Sequence, residues 1–425
     1  MCSFRAKTPT FESISVYQFS RFGINKVVAF DRIYLAPVDP IFGLAVTFQR
    51  DARENKIDLG IGIYRGEGVQ APILESVKRA EEEILSRESS KTYLPIAGDP
   101  EYIDRVGELV FGSDFWEKER ARIAGFQTVG GTGALRIGGA FLKEEWNRPI
   151  FISSPTWPNH RGVFRGCKLD VHFYPYYDLQ NSLFEKENAF AFFRRLERGS
   201  IVVLHGSCHN PTGWDFTQEE WQKLVSLFAE KECVPFIDSA YLGFGKELEE
   251  DAYGIRAFAA SGLDFLVAFS ASKIFSLYGE RVGALFIGTS KASVAENVAS
   301  RVQQAIRMEY SNPPIHGSTI VSFILSNAAL HKKWERELNE MRKTMEHMRQ
   351  KFALRLEKEL PKQSFIHVKE GKGMFTCLKL TQEEIQRLQN EYAIYMTRDA
   401  RINLSGLHAE NLDTVVQAIA AVSKN

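Results

Sequence analysis

From about residue 120 to residue 290 the chain alternates between short, nearly all-apolar runs and amphipathic stretches. PIFISS (149–154), SIVVLH (200–205), VPFID (234–238), DFLVAF (264–269) and RVGALFIG (281–288) have the length of strands. Their almost unbroken apolar character suits strands covered on both faces. TQEEWQKLVSLFAEKE (217–232) has a helical period, and Thr217 with Glu220 stands at capping-box spacing. Strands alternating with helices predict an α/β fold with a mostly parallel sheet wrapped by helices. Further on, Trp334, Leu338, Met341, Met345, Met348 and Phe352 recur at spacings of four and three. That is the stripe of one long helix linking two domains rather than a coiled coil, and its methionines are packing, not a ligand set. Beyond Pro361, the runs SFIHV and MFTCLKL, then a helix, then IYMTRDARINLSG, predict a smaller α/β domain.

Composition narrows the function classes. The 425 residues, 44% of them hydrophobic, are enough for two or three domains or one large α/β unit. With 53 basic and 53 acidic side chains there is no excess of charge to neutralise nucleic-acid phosphates. No apolar run is long enough to span a bilayer, so a soluble protein is expected. Cys2, Cys167, Cys208, Cys233 and Cys377 are scattered without a CxxC pair, which fits a reducing, cytoplasmic setting. The opening MCSFRAKTPTFESISVYQFSRFGINK is poor in acids and rich in Ser, Arg and Phe, as transit peptides are. Its amphipathic pattern is weak, and we read residues 1–38 as a short extension.

In a parallel α/β sheet, sites form outside the carboxyl ends of the strands. SIVVLH is followed by GSCHNPTG with Asn210; VPFID ends in Asp238, with Tyr241 close behind; DFLVAF leads into Ser270 and Lys273. Lys273 lies among apolar and small residues, so it is a solvated lysine, a buried and partnered one, or a reactive amine. GFQTVGGTGALRIGG (125–139) is a glycine-rich turn entering a helix, suited to holding a phosphate. It is not a P-loop, because Gly131 occupies the lysine position, and it lacks the dinucleotide GxGxxG. With Arg281 it points to a phosphomonoester. His205, Cys208 and His209 stand at a strand end and turn rather than at i, i+4 on a helix, so we expect structural histidines and no metal. An amine, a carboxylate, a phenol and a phosphate cradle are together what pyridoxal 5′-phosphate requires.

SPTWPNHRGVF, HNPTG, FIDSAYLGF, SASK…ERVG, YSNPP and ARINLSG, in this order, resemble the aspartate aminotransferase family of fold-type I pyridoxal-phosphate enzymes and its aromatic-specific relatives. The resemblance runs from about residue 55 to the C-terminus. It implies a large cofactor-binding domain (72–340) and a smaller α/β domain from both ends of the chain (39–71 with 341–425). It implies that Lys273 forms the Schiff base and later moves the proton, that Asp238 pairs with the pyridine nitrogen and that His160 supports Asp238. Tyr241 and Asn210 would bind the ring oxygen, Trp157 would stack on the ring, and Ser270, Arg281, Gly131 and Thr132 would hold the phosphate. Arg401, helped by Gly62 and Asn210, would bind the substrate α-carboxylate. In a homodimer with shared active sites, Arg307 would reach the distal carboxylate and Tyr93 the phosphate of the neighbouring subunit.

The family's SFSKNFGLYNERVG reads SASKIFSLYGERVG here, so Ala271, Ile274, Ser276 and Gly279 depart from the pattern. The activity implied is transamination between aspartate or glutamate and a 2-oxo acid, in two halves by way of pyridoxamine phosphate. A broad aromatic aminotransferase acting on tyrosine or phenylalanine as well as aspartate is the alternative. A pyridoxal-phosphate lyase or decarboxylase on the same fold is more remote, as is a nucleotide hydrolase, which would need the missing P-loop lysine. A non-catalytic scaffold would have lost part of this residue set.

Overall fold

The computed structural model describes residues 30, 33–35, 40–66 and 70–423. They belong to two compact units divided after Asp39. The first unit contributes only a short turn, closed by the Ile33 N–H donating to the Phe30 carbonyl at 3.0 Å. The extension expected over residues 1–38 otherwise lies outside the described residues.

The second unit is built on a seven-stranded sheet. Its strands are β1 (Ile123–Val129), β2 (Ile150–Ser154), β3 (Val171–Pro175), β4 (Ile201–His205), β5 (Val234–Ser239), β6 (Phe265–Ser270) and β7 (Val282–Gly288). They lie in the order β1-β7-β6-β5-β4-β2-β3, and β7 alone runs against its neighbours. Val203, Phe236, Leu266 and Leu285 face one hydrophobic cluster, and Val202, Ile237, Val267 and Phe286 face another. This alternation buries the sheet on both sides, which is why the strands read as unbroken apolar runs. The sequence pattern does not announce β1 or β3. Gly125 and Gln127 interrupt the apolar run of β1, and β3 is an edge strand with His172 and Phe173 exposed.

Five helices matter for the site: α1 (Gly130–Glu145), α2 (Gln218–Lys231), α3 (Ala292–Glu309), α4 (Ala328–Glu359) and α5 (Leu412–Ser423). At the start of α2 the expected capping box is complete: the Glu220 N–H donates to Thr217 Oγ1 at 3.3 Å, and the Thr217 N–H to Glu220 Oε2 at 2.8 Å. The stripe of α4 begins against the main core through Trp334, Leu338, Met341 and Met345. It ends in a separate cluster, where Phe352 and Leu356 meet Leu59, Ile394, Ile402 and residues of α5 such as Ile419. One helix therefore packs into two cores.

The run SFIHV is not a strand. Ile366–Glu370 forms a short helix, and its Val368 carbonyl accepts from the buried Arg349 Nη1 at 2.9 Å instead of from a neighbouring strand. A five-residue apolar run cannot by itself distinguish the two states. Phe375–Cys377 is a strand, paired antiparallel with Arg401–Asn403. Replacing Thr217 with Ala should cost about 1 kcal/mol of stability by removing one half of the capping box. This is read as a lower denaturant midpoint with unchanged turnover, and an unchanged midpoint would contradict the assignment.

Candidate active site

β1, β4, β5 and β6 all finish at one edge of the sheet, and the reversed β7 begins there. Register sets the order of the groups: His205 pairs with Asp238, and Ser270 pairs with Gly283. Ten of the predicted residues line a single cavity of about 160 Å³ at this edge: Gly62, Gly131, Thr132, Trp157, Asn210, Asp238, Tyr241, Ser270, Lys273 and Arg281.

Lys273 sits on the turn between β6 and β7, half-buried, with Nζ 5.2 Å from the centre of the Tyr241 ring. Burial pulls its pKa down from 10.5 to about 8; Asp238 opposes the shift and Arg281 adds to it. The amine is thus much closer to its neutral, nucleophilic form at neutral pH than a solvated lysine. Tyr241, also buried, keeps its proton above the usual phenol range, chiefly through desolvation.

Asp238 lies at the end of β5, where burial would raise its pKa. The hydrogen bond from His160 Nε2, at 3.0 Å, together with the electrostatic influence of His160, His205 and Lys273, outweighs burial and leaves the carboxyl below its ordinary value. A single-direction chain satisfies every atom behind it. The Asn210 N–H donates to His205 Nδ1 (3.4 Å), and His205 Nε2–H to Thr156 Oγ1 (3.2 Å). The Thr156 hydroxyl donates to His160 Nδ1 (2.8 Å), and His160 Nε2–H to Asp238. A backbone amide can only donate and a carboxylate only accept, so the two ends fix this direction. Burial, with the neighbouring His160, holds His205 down to about 3. Sequence reasoning read His205 only as a structural histidine and did not single out Thr156.

The side of the cavity formed by Gly131, Ser270 and Arg281 is made by close approach. A Cβ on Gly131 would come 2.9 Å from Ser270 Cβ, and one on Gly130 would collide with the Arg281 guanidinium. Arg281 Nη1 donates to the Tyr278 carbonyl at 3.1 Å and to Ser272 Oγ at 3.3 Å. Gly130, the first residue of α1, lies against this cation and gives its N–H to the Arg281 carbonyl at 2.9 Å. A helix N-terminus and a guanidinium therefore adjoin, a combination suited to a phosphate dianion.

Arg401, only 2% exposed, does not itself line the cavity and stands behind Asn210, which does. Nη1 donates to Asn210 Oδ1 at 3.1 Å and Nη2 to the Gly60 carbonyl at 2.6 Å, while Nε is buried without a partner. Its guanidinium lies 4.4 Å over the Phe375 ring, which meets Tyr241 edge-on at 5.9 Å. Phe375 was visible in the sequence only as an apolar position in a strand. The described chain does not bring Tyr93 or Arg307 to the cavity. Tyr93 is 92% exposed, and Arg307, exposed at the end of α3, contacts Ser311. Their two segments are joined, since Asn312 Nδ2 donates to the Leu94 carbonyl at 3.0 Å.

Residues 54–419 match the family described as aminotransferase class I and II. The chain belongs to this family, in its aspartate and aromatic group. It is 44% identical to an aspartate aminotransferase of Salmonella typhi over 92% of this chain and 100% of that protein. It is 38% identical to an aromatic-amino-acid aminotransferase of Escherichia coli K12 over 90% of this chain and 97% of that one. An aromatic-amino-acid aminotransferase from Burkholderia pseudomallei, solved covalently bound to pyridoxal phosphate, superposes with a TM-score of 0.90. That structure is 40% identical and covers 93% of this chain and 99% of its own.

The departures around the lysine are absorbed by packing in this family member. Ala271 and Ile274 are fully buried, and the Ile274 carbonyl accepts from Trp334 Nε1 at 2.8 Å. Ser276 adopts φ +54, where the family has glycine, and its hydroxyl donates to the Pro72 carbonyl at 2.6 Å. Gly279 is exposed.

In cofactor-free protein, acylation of Lys273 should show a midpoint near pH 8. Asp238→Asn should move the midpoint downward, because the charge that favours the ammonium is gone. A wild-type midpoint at 10.5, or an upward shift in the variant, would contradict this electrostatic account.

Proposed function

We propose that this chain is a pyridoxal 5′-phosphate-dependent aminotransferase exchanging the amino group of aspartate or glutamate with a 2-oxo acid in two alternating halves. The observation that carries the reading is the convergence of a half-buried amine, an ionised carboxylate and a glycine-and-arginine cradle around one cavity. The donor set fits the cofactor: no side chain can grow from Gly130 or Gly131 without striking Arg281 or Ser270. When bound, the cofactor supplies an aldehyde for amines and a ring that withdraws electrons from the substrate Cα.

The chain's own residues do the rest. Lys273 Nζ holds the cofactor and, once free, takes and returns the Cα proton; its lowered pKa makes it a competent base near neutrality. Asp238, kept anionic by His160, would accept the ring N–H. Tyr241 and Asn210 would hold the ring oxygen, Trp157 a ring face, and Gly131, Thr132, Ser270, Arg281 and a second copy's Tyr93 the phosphate. Arg401, whose guanidinium bonds Asn210 and keeps one N–H without a partner, would take the α-carboxylate, and Gly62 and Asn210 would add hydrogen bonds to it. Residues 72–340 would carry the cofactor, and 39–71 with 341–425 would form the smaller body that bears Arg401. Arg307 of a second copy would bind the distal carboxylate, which makes the active form a homodimer. No helix among the described residues is long and apolar enough to cross a membrane. Cys167, Cys208, Cys233 and Cys377 are free and buried, and we assign the enzyme to the cytoplasm.

Lys273→Ala should lower turnover of aspartate with 2-oxoglutarate by about 10⁴-fold or more. Arg307→Ala should lower kcat/KM for aspartate by about 10³-fold while changing that for phenylalanine less than about tenfold. The resemblance to the aromatic aminotransferase supports a second reading. It would be established by a wild type that converts phenylalanine as fast as aspartate. A wild type that converts neither amino acid would overturn both.

A further inference from the structure

Arg349, on α4, is 2% exposed yet does not line the cavity. Among the described residues no carboxylate pairs with it. Its hydrogen bonds go to four backbone carbonyls: Val368 from Nη1 at 2.9 Å, and Lys372, Gly373 and Phe375 from Nη2 at 3.1, 2.9 and 2.8 Å. Burying a guanidinium without a counter-ion is costly, and a plain packing role would be served by an apolar side chain. Convergence on one loop is what an organising role looks like.

The loop it gathers leads into the carboxylate clamp. Residues 372–375 press on the turn that carries Asn210: the Lys372 N–H donates to the Gly213 carbonyl at 2.7 Å. A Cβ on Gly213 would lie 2.8 Å from both the Lys372 and Phe375 carbonyls, two of those that Arg349 holds. On the far side, the Leu404 N–H donates to the Met374 carbonyl at 2.8 Å, and Cys377 pairs with Arg401. Between these anchors the Phe375 ring lies beneath Arg401 and against Tyr241. We propose that Arg349 is a positioning residue for α-carboxylate recognition, acting through residues 372–375 to set Phe375 beneath Arg401. The proposal rests on the aminotransferase reading, because it takes Arg401 to be the carboxylate ligand. Arg349 bonds to none of Lys273, Asp238 or Arg281; its bonds end on the loop whose Phe375 lies beneath Arg401, so its effect falls first on substrate binding.

The test uses the holoenzyme with Arg349→Met and Arg349→Lys. Both variants should raise KM for the amino acid and for the oxo acid by about tenfold, Lys less than Met, with kcat within about threefold of wild type. The pH midpoint of the lysine–cofactor absorbance band should stay where it is in wild type. Phe375→Leu should reproduce the rise in KM, and combining it with Arg349→Lys should add little, as expected of two residues on one route. KM within twofold of wild type in the variants overturns the proposal, as does a moved midpoint accompanied by an equal loss of kcat. If Arg349→Met does not fold, Arg349→Lys, which keeps three donors, decides. KM is read on whichever amino acid the wild type converts; a wild type that converts none overturns the transaminase reading and this assignment with it.

Discussion

A carboxylate at the bottom of a buried cavity loses its charge unless something holds it there, and the hydrogen bond from His160 to Asp238 is what the active edge depends on. Desolvation alone would raise the Asp238 carboxyl toward neutrality. A neutral Asp238 would neither hold a proton on a ring nitrogen nor favour the ammonium of Lys273 as it does. The bond is directional because Thr156, His205 and the Asn210 backbone amide leave one way to satisfy the chain behind it. Asn210 appears twice, at the head of this chain and under Arg401. Arg401, the proposed carboxylate ligand, and Asp238, the proposed partner of the ring nitrogen, therefore share one anchor.

The reversed strand β7 places Arg281. A strand parallel to its neighbours would deliver its first residues to the opposite edge of the sheet. Running the other way, β7 brings Arg281 to the edge where β1 hands over to the glycines of α1 and where β6 hands over to Lys273. Lys273 and Arg281 are thus two ends of one short turn, close enough that Arg281 lowers the pKa of the amine. On the substrate side, α4 ties the main core to the smaller one, and Arg349 stands where the two meet.

Much of this was legible in the sequence, for a physical reason. Strands buried on both faces read as unbroken apolar runs, and their ends expose the polar groups that follow, so Asn210, Asp238, Ser270 and Lys273 announced themselves. The edge strand β3 and the glycine-interrupted β1 lack that signature, and SFIHV carries it without being a strand. Phe375 and Arg349 were hidden because an aromatic in a strand and an arginine on a helix have bland explanations until their contacts are seen. Thr156 had no pattern to betray it. Arg307 and Tyr93 were singled out by resemblance, and a single chain leaves both on its surface.

The central claim is that Lys273, among all the lysines, is the amine that the buried edge has made reactive. Reduction of the holoenzyme with borohydride, followed by peptide mass mapping, reads this directly. The account predicts a phosphopyridoxyl mass increment on the peptide containing Lys273 at close to one per chain, and none on that peptide in Lys273→Ala. An increment spread over surface lysines, or no increment at Lys273, would contradict it.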